Sequence, residues 1–142
     1  MLHDIGKTIL DNYLPEEYAQ VIELCNNDGV HIYEAERSIL GISHAELGGK
    51  VGDRWQLPDV LCESIRWHHD AAAAGEEFAR NAALVCLADY VARVVGIGQT
   101  GDAWEPSVDG GAMQIWGSSP DQLNKAIEEL EGYRERIEQF QS

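Results

Sequence analysis

The chain has 142 residues, the size of one ordinary domain, and its 44% hydrophobic and 25% charged residues are globular proportions. Ten basic against 25 acidic residues give a net charge of −15, which should repel nucleic-acid backbones and anionic lipid surfaces. No stretch approaches the ~18 consecutive apolar residues of a membrane span. We expect no secretion signal, and three widely spaced cysteines are typical of core residues in a reducing cytoplasm.

The first part of the chain has the pattern of short helices separated by turn signals. Residues 1–12 carry apolar side chains at helical spacing and predict the end of a helix. Pro15 suits the first position of a second helix, which should end at the turn cluster of residues 26–29. A third helical segment should cover residues 31–40, where a glycine follows.

A capping signal marks the next helix. Ser43 and Glu46 have the spacing of a capping box and predict a helix that continues to about Trp55. Pro58 breaks that helix and opens another, which should end near residues 68–70.

The middle of the chain combines a long helix with a glycine-rich stretch. Residues 71–75 are a small-residue connection, and residues 76–95 predict the longest and most buried helix. A long loop should cover about residues 96–118, pinned by Trp104 and Trp116. The expected core positions of the long helix are Ala82, Leu84, Val85, Leu87, Ala88, Val91, Val94 and Val95.

The C-terminal segment restarts the helical pattern. Ser119 as N-cap, Pro120 at the first helical position and Gln122 three residues after the cap predict the last helix. No segment has a convincing strand pattern. We therefore predict an all-α helical fold that forms one domain over residues 1–142.

Six side chains of the types that bind hydrolytic metal ions are spread along these helices. Imidazole and carboxylate are the ligands such ions prefer, and Asp89 interrupts an apolar stretch, where a carboxylate is costly unless it is paired or binds a cation. Lys7 shares a helix face with His3, where it could hold a phosphate oxygen near a metal. The candidate metal ligands are His3, Asp4, His44, His68, His69 and Asp89.

Structural explanations compete with this one. The helix dipole alone favours His68 and His69 at the end of their helix, an isolated histidine such as His31 is usually hydrogen-bonded or solvated, and Lys7 can be a solvated charge. The chain has no glycine-rich phosphate loop, G-x-S-x-G or H-E-x-x-H motif. Spacing alone leaves the two explanations open.

Several motifs in combination resemble a known family. The run H-D-I-G-K at residues 3–7 resembles the segment that marks the HD superfamily of metal-dependent phosphohydrolases. Other runs resemble its HDOD subgroup, and the resemblance covers nearly the whole chain. These runs are residues 36–48 (ERSILGISHAELG), 55–59 (WQLPD), 65–69 (IRWHH), 87–92 (LADYVA) and 116–130.

The resemblance implies an all-helical, HD-like bundle with a metal site among its helices. In catalytic relatives the residues that match His3, Asp4 and Asp89 bind metal, and His44, His68 and His69 match further ligands of the related cyclic-di-GMP phosphodiesterases. Asp4 and Lys7 would be the catalytic residues. The implied cofactor is a divalent ion, with iron, manganese, magnesium and nickel as candidates, and His31 has no counterpart.

Two departures from the family pattern matter. HD enzymes carry a first ligand histidine upstream of the H-D pair, and only two residues precede His3, so we expect an N-terminally shortened bundle. The glycine-tyrosine-proline segment of the cyclic-di-GMP enzymes is also absent. The shortening should expose the apolar face of Leu2, Ile5 and Ile9, which predicts a homodimer or another protein partner at that face.

Three functions remain open at this stage. The first is a bacterial signal-transduction or interaction module of HDOD type, without catalysis but with a residual metal site. The second is a metal-dependent phosphohydrolase or phosphodiesterase of the HD superfamily. The third is a degenerate fragment whose helices only pack and dimerise.

Overall fold

A computed structural model of the chain describes residues 2–97 and 108–141, and within these ranges every regular element is helical. The predicted all-α fold is therefore confirmed. The 3₁₀ turns cover Leu2–Asp4 and Ala71–Ala74. The α-helices are α1 (Ile5–Tyr13), α2 (Pro15–Asp28), α3 (Ile32–Leu40), α4 (His44–Arg54), α5 (Asp59–Trp67), α6 (Gly75–Val95), α7 (Gly110–Trp116) and α8 (Pro120–Gln141).

Local capping chemistry sets most of the helix boundaries. Pro15 opens α2, which ends at Gly29 in the left-handed conformation, with a φ of 64°. Ser43 and Glu46 form the predicted capping box: Ser43 Oγ accepts from the Glu46 backbone N–H at 3.2 Å, and Glu46 Oε2 accepts from the Ser43 N–H at 3.1 Å. These bonds satisfy backbone donors that a helix start otherwise leaves open.

A glycine face on α4 lets this helix pack closely against α5. A Cβ on Gly48 would lie 2.8 Å from Ile65 Cγ2, and one on Gly52 would lie 2.9 Å from Cys62 Sγ. Both glycines are buried. Because a larger residue at either position would push the helices apart, this face brings the start of α4 and the end of α5 together.

The hydrophobic core has two main clusters. The first joins α1, α2 and α3, and the second joins the 3₁₀ turn at residues 71–74 with α6 and α7. Three predicted core positions of α6 are wrong, because Leu84 is 43% exposed, Val94 is 38% exposed and Ala88 is exposed as well. Leu84 and Ala88 line an open groove between α6 and α8. The buried residues of the first cluster are Leu10, Tyr18, Val21, Cys25, Ile32 and Ala35. Those of the second cluster are Ala71, Ala74, Ala82, Ala83, Leu87 and Ala112.

The prediction of a continuous loop over residues 96–118 is wrong for its second half. The segment Gly110–Trp116 is a helix, which Asp109 caps by accepting from the Gly111 N–H at 2.8 Å. Seven residues with two glycines are too few to show a helical period in the sequence, whereas packing of Ala112 into the second cluster stabilises the turn. Residues 98–107, including Trp104, lie outside the described ranges.

The N-terminal apolar face is only partly exposed. Leu2 is 44% exposed, while Ile5 and Ile9 are half-buried. The partner at this face stays a prediction. Among the described residues, no helix has both the length and the apolar character that crossing a membrane requires.

Candidate metal centre

Four elements converge and bring the six predicted ligands into one cluster. The 3₁₀ turn before α1 carries His3 and Asp4, α4 begins with His44, and α6 carries Asp89 in its interior. The two remaining ligands follow the end of α5. The cluster consists of His3, Asp4, His44, His68, His69 and Asp89.

Asp4 lies at the centre of this cluster. Its Oδ1 is 3.3 Å from His44 Nε2 and 3.9 Å from His68 Nε2, while its Oδ2 is 3.1 Å from Lys7 Nζ and 3.5 Å from His3 Nε2. Burial raises the pKa of Asp4, but the charges of Lys7 and the surrounding histidines outweigh it and lower that pKa to about 2. Asp4 is therefore a carboxylate at neutral pH.

His68 presents a nitrogen lone pair to the cluster. Its Nδ1–H donates to the carbonyl oxygen of Ile65 at 2.7 Å, and because a carbonyl only accepts, the lone pair lies on Nε2. Burial, with the neighbouring His44 and His3, lowers the pKa of His68 to about 3. Nε2 is buried and has no hydrogen-bond partner among the described residues, which costs about 1–3 kcal/mol. A buried lone pair beside a carboxylate fits a bound cation.

His44 and His69 complete the histidine side of the cluster. Their Nε2 atoms are 3.0 Å apart, and burial together with the adjacent histidines lowers the pKa of His69 far below its usual value. Two groups of three have their ligand atoms within 4.8 Å of one another: His44, His68 and His69, and His3, Asp4 and His68. His68 belongs to both groups.

Asp89 joins the cluster from the α6 side. Its Oδ1 is 3.2 Å from His3 Nε2. Burial raises the pKa of Asp89, but the hydrogen bond and charge of His3 lower it overall. The carboxylate of Asp89, which interrupts an apolar stretch of α6, is thus paired with the imidazole of His3.

His31 has a place beside the cluster that the sequence did not indicate. It is the N-cap of α3, where its Nδ1 accepts from the Tyr33 N–H at 3.3 Å. Its ring also packs edge-on against His69, with centroids 5.1 Å apart, and Tyr33 contacts the same ring at 5.4 Å. His31 is hydrogen-bonded, as expected, and also forms a wall of the site.

Glu36 contacts the cluster, and the sequence analysis did not single it out. Its side chain is fully buried, and its Oε2 lies 2.6 Å from His44 Nδ1. The signal was present: Glu36 follows Ile32 by one helical turn, and both lie on the buried face of α3. An acidic residue on the apolar face of a short helix needs partners.

Gly6 permits the contact between Asp4 and His44. A Cβ on Gly6 would lie 2.0 Å from the backbone oxygen of His44. The glycine of the H-D-I-G-K run therefore allows α1 to touch the first turn of α4, which brings the carboxylate of Asp4 to the imidazole.

Comparison with known proteins identifies the family of this chain. The model of the HDOD domain family matches residues 1–71. The chain belongs to the HDOD family. The match includes every cluster residue of this HDOD chain except Asp89.

Two proteins that this chain resembles are both longer than it is. A crystal structure of an HDOD domain protein of unknown function from Geobacter sulfurreducens has 27% sequence identity and a TM-score of 0.75, over 96% of this chain and 49% of that one. An uncharacterized protein of Treponema pallidum (strain Nichols) is 26% identical over 93 residues, which are 66% of this chain and 18% of that protein. This HDOD chain thus spans about half of the first and about a fifth of the second.

Proposed function

We propose that this chain is a signal-transduction or interaction module of HDOD type that binds a divalent metal ion in its histidine–aspartate cluster and does not turn over a substrate. The observation that carries the metal site is that His68 Nε2 lies buried 3.9 Å from Asp4 Oδ1 and has no hydrogen-bond partner in the part of the chain that the structure describes. The ion would be held by the six cluster residues. When bound, it would supply positive charge that offsets the repulsion between the imidazole lone pairs and the carboxylates of the cluster.

The surroundings of the cluster favour binding over catalysis. His44 and His68 are at most 1% exposed, and the Lys7 ammonium, which would steady a phosphate, donates to Asp4 Oδ2 at 3.1 Å. A net charge of −15 also opposes the approach of a polyanionic substrate. These features suit an ion that joins four helical elements and stabilises one arrangement of them.

Metal content and metal-dependent stability test the proposal. The chain, purified without a metal-affinity tag, should bind manganese, iron(II), nickel or magnesium and gain about 2.7 kcal/mol of unfolding free energy at a metal concentration 100 times Kd. Asp4→Ala should lose both effects. Asp11→Ala is the matched control, because Asp11 is an exposed aspartate on α1, the helix that follows Asp4. Absence of binding with all four ions would overturn the metal site.

A metal-dependent phosphohydrolase is the second candidate, and one contact favours it. Lys7 Nζ lies beside Asp4 at the edge of the cluster, where an ammonium group could face a phosphate oxygen. Turnover of an activated phosphodiester by the manganese-loaded chain, lost in both Asp4→Ala and Asp89→Ala, would replace the non-catalytic proposal. Binding of metal without turnover supports it.

A further inference from the structure

Within the described ranges, Glu36 is the only acidic side chain that is fully buried, and it faces His44 rather than solvent. Its Oε2 accepts from the His44 backbone N–H at 2.7 Å and lies 2.6 Å from Nδ1 of the same residue. Its Oε1 accepts from the Tyr18 hydroxyl at 3.4 Å. One carboxylate therefore holds both the backbone and the ring of a single histidine.

The position of Glu36 explains how a buried carboxylate is tolerated. Glu36 belongs to α3, but its carboxylate lies at the N-terminus of α4. Backbone N–H groups there are unpaired within the helix, and the helix dipole favours negative charge. Burial and the nearby Glu36 raise the pKa of Tyr18 well above its usual value, so this hydroxyl keeps its proton and can donate. Glu36 thus has donors from α2 and α4 at its two oxygens.

The same contact determines which nitrogen of His44 carries a proton. Glu36 Oε2 already accepts from the His44 N–H, and a carboxylate only accepts, so the proton of the short contact lies on Nδ1. When the ring is neutral, the lone pair of His44 is then on Nε2, 3.3 Å from Asp4 Oδ1 and 3.0 Å from His69 Nε2. Without the metal, His69 Nε2–H is the donor in the second contact.

We infer that Glu36 is a positioning residue that holds His44 as the Nδ1–H tautomer, with Nε2 directed into the cluster, and that Tyr18 steadies Glu36. The expected effect of Glu36 on metal affinity rests on the proposed metal-binding function. The tautomer of His44 does not, because it is a property of the metal-free chain. Partners of this kind fix the orientation of ligand histidines and raise their basicity, and their loss typically weakens metal affinity about 10–100-fold.

Nitrogen NMR of the imidazole rings in the metal-free protein is the direct test. The His44 signals, assigned by their loss in His44→Gln, should show a protonated Nδ1 and an unprotonated Nε2. Glu36→Gln keeps the shape but replaces one oxygen by an amide donor, so it should give mixed tautomers and a 10–100-fold weaker affinity for manganese or nickel by calorimetry. Glu36→Asp is one methylene too short to reach His44, so we expect it to restore neither the tautomer nor the metal affinity.

Two controls separate positioning from general damage. Glu34→Gln changes the charge in the same way on an exposed position of α3 and should leave tautomer and affinity unchanged. Tyr18→Phe removes only the 3.4 Å hydrogen bond from the Tyr18 hydroxyl to Glu36 Oε1. It should weaken metal affinity less than Glu36→Gln does. Far-UV circular dichroism reports whether each variant is folded.

Each outcome bears on a distinct claim. A wild-type His44 protonated on Nε2 overturns the inference even if Glu36→Gln fails to fold, and so does a folded Glu36→Gln with unchanged tautomer and affinity. If the wild-type chain binds no metal, the proposed function fails, and the tautomer comparison still decides the role of Glu36.

Discussion

Gly6→Ala adds one methyl group at the closest helix contact of the site. An ideal Cβ would lie 2.0 Å from the backbone oxygen of His44 and 2.7 Å from its carbonyl carbon. These are backbone atoms at the start of α4, which the capping box holds in place, so no side chain can rotate to make room. Relief requires α1 to move by roughly 1 Å or more, because protein interiors are close-packed, and this movement carries Asp4 away from His44.

Overpacking typically costs about 1–3 kcal/mol, and the higher helix propensity of alanine offsets about 0.5–1 kcal/mol of it. Because the clash is with backbone, we expect a net loss of about 2 kcal/mol, which for a chain of this size lowers Tm by about 6–8 °C. Urea and thermal unfolding followed by far-UV circular dichroism measure the loss, and calorimetry with manganese should show weaker binding.

Gly132→Ala is the matched control. Gly132 lies within α8, and a Cβ there meets nothing within 4 Å, so this variant should be unchanged or more stable by up to about 1 kcal/mol. A Gly6→Ala chain with wild-type Tm would refute the close approach of α1 and α4. Lost stability with unchanged metal affinity would instead refute the dependence of the site on that approach.

Three further predictions concern single side chains. Ser43→Ala removes the cap of α4 and should cost about 1 kcal/mol in urea unfolding; an unchanged midpoint would contradict the capping role. Burial, with smaller contributions from nearby acids, raises the pKa of the Cys86 thiol to about 12, so only on the order of one thiol in ten thousand is ionised at pH 8, and a thiol reagent should label it slowly until the chain unfolds. Asp89→Asn removes a partly exposed partner of His3, so it should change metal-free stability by less than about 1 kcal/mol while reducing the stabilisation that metal gives. Equal metal-induced stabilisation in this variant and the wild type would exclude Asp89 as a ligand.

Most helix boundaries were predictable because their signals are local. Pro15, Gly29 and the Ser43 capping box each act on backbone groups within a few residues, and each lies where the sequence predicted it. The short helix α7 was not predictable in this way, because its stability depends on a cluster formed by residues distant in the chain.

The identities of the cluster residues were also accessible from sequence, through residue type and family resemblance. Their distances were not. His3 and Asp89 are 86 positions apart in the chain, and only the folded bundle brings their side chains to 3.2 Å from each other. His31 was assigned no counterpart in the family, although it packs against His69.

The sequence by itself determined an all-helical chain, the ends of most helices and a set of side chains suited to a divalent ion. Only the tertiary structure decided that Glu36 faces His44, that Gly6 touches the backbone of α4, and that His68 has a buried nitrogen without a hydrogen-bond partner among the described residues. The physical reason is the distance along the chain over which each interaction acts. Caps and helical periods act over a few residues, whereas burial, tautomer and ligand geometry depend on which helices meet, and that follows from packing of the whole bundle.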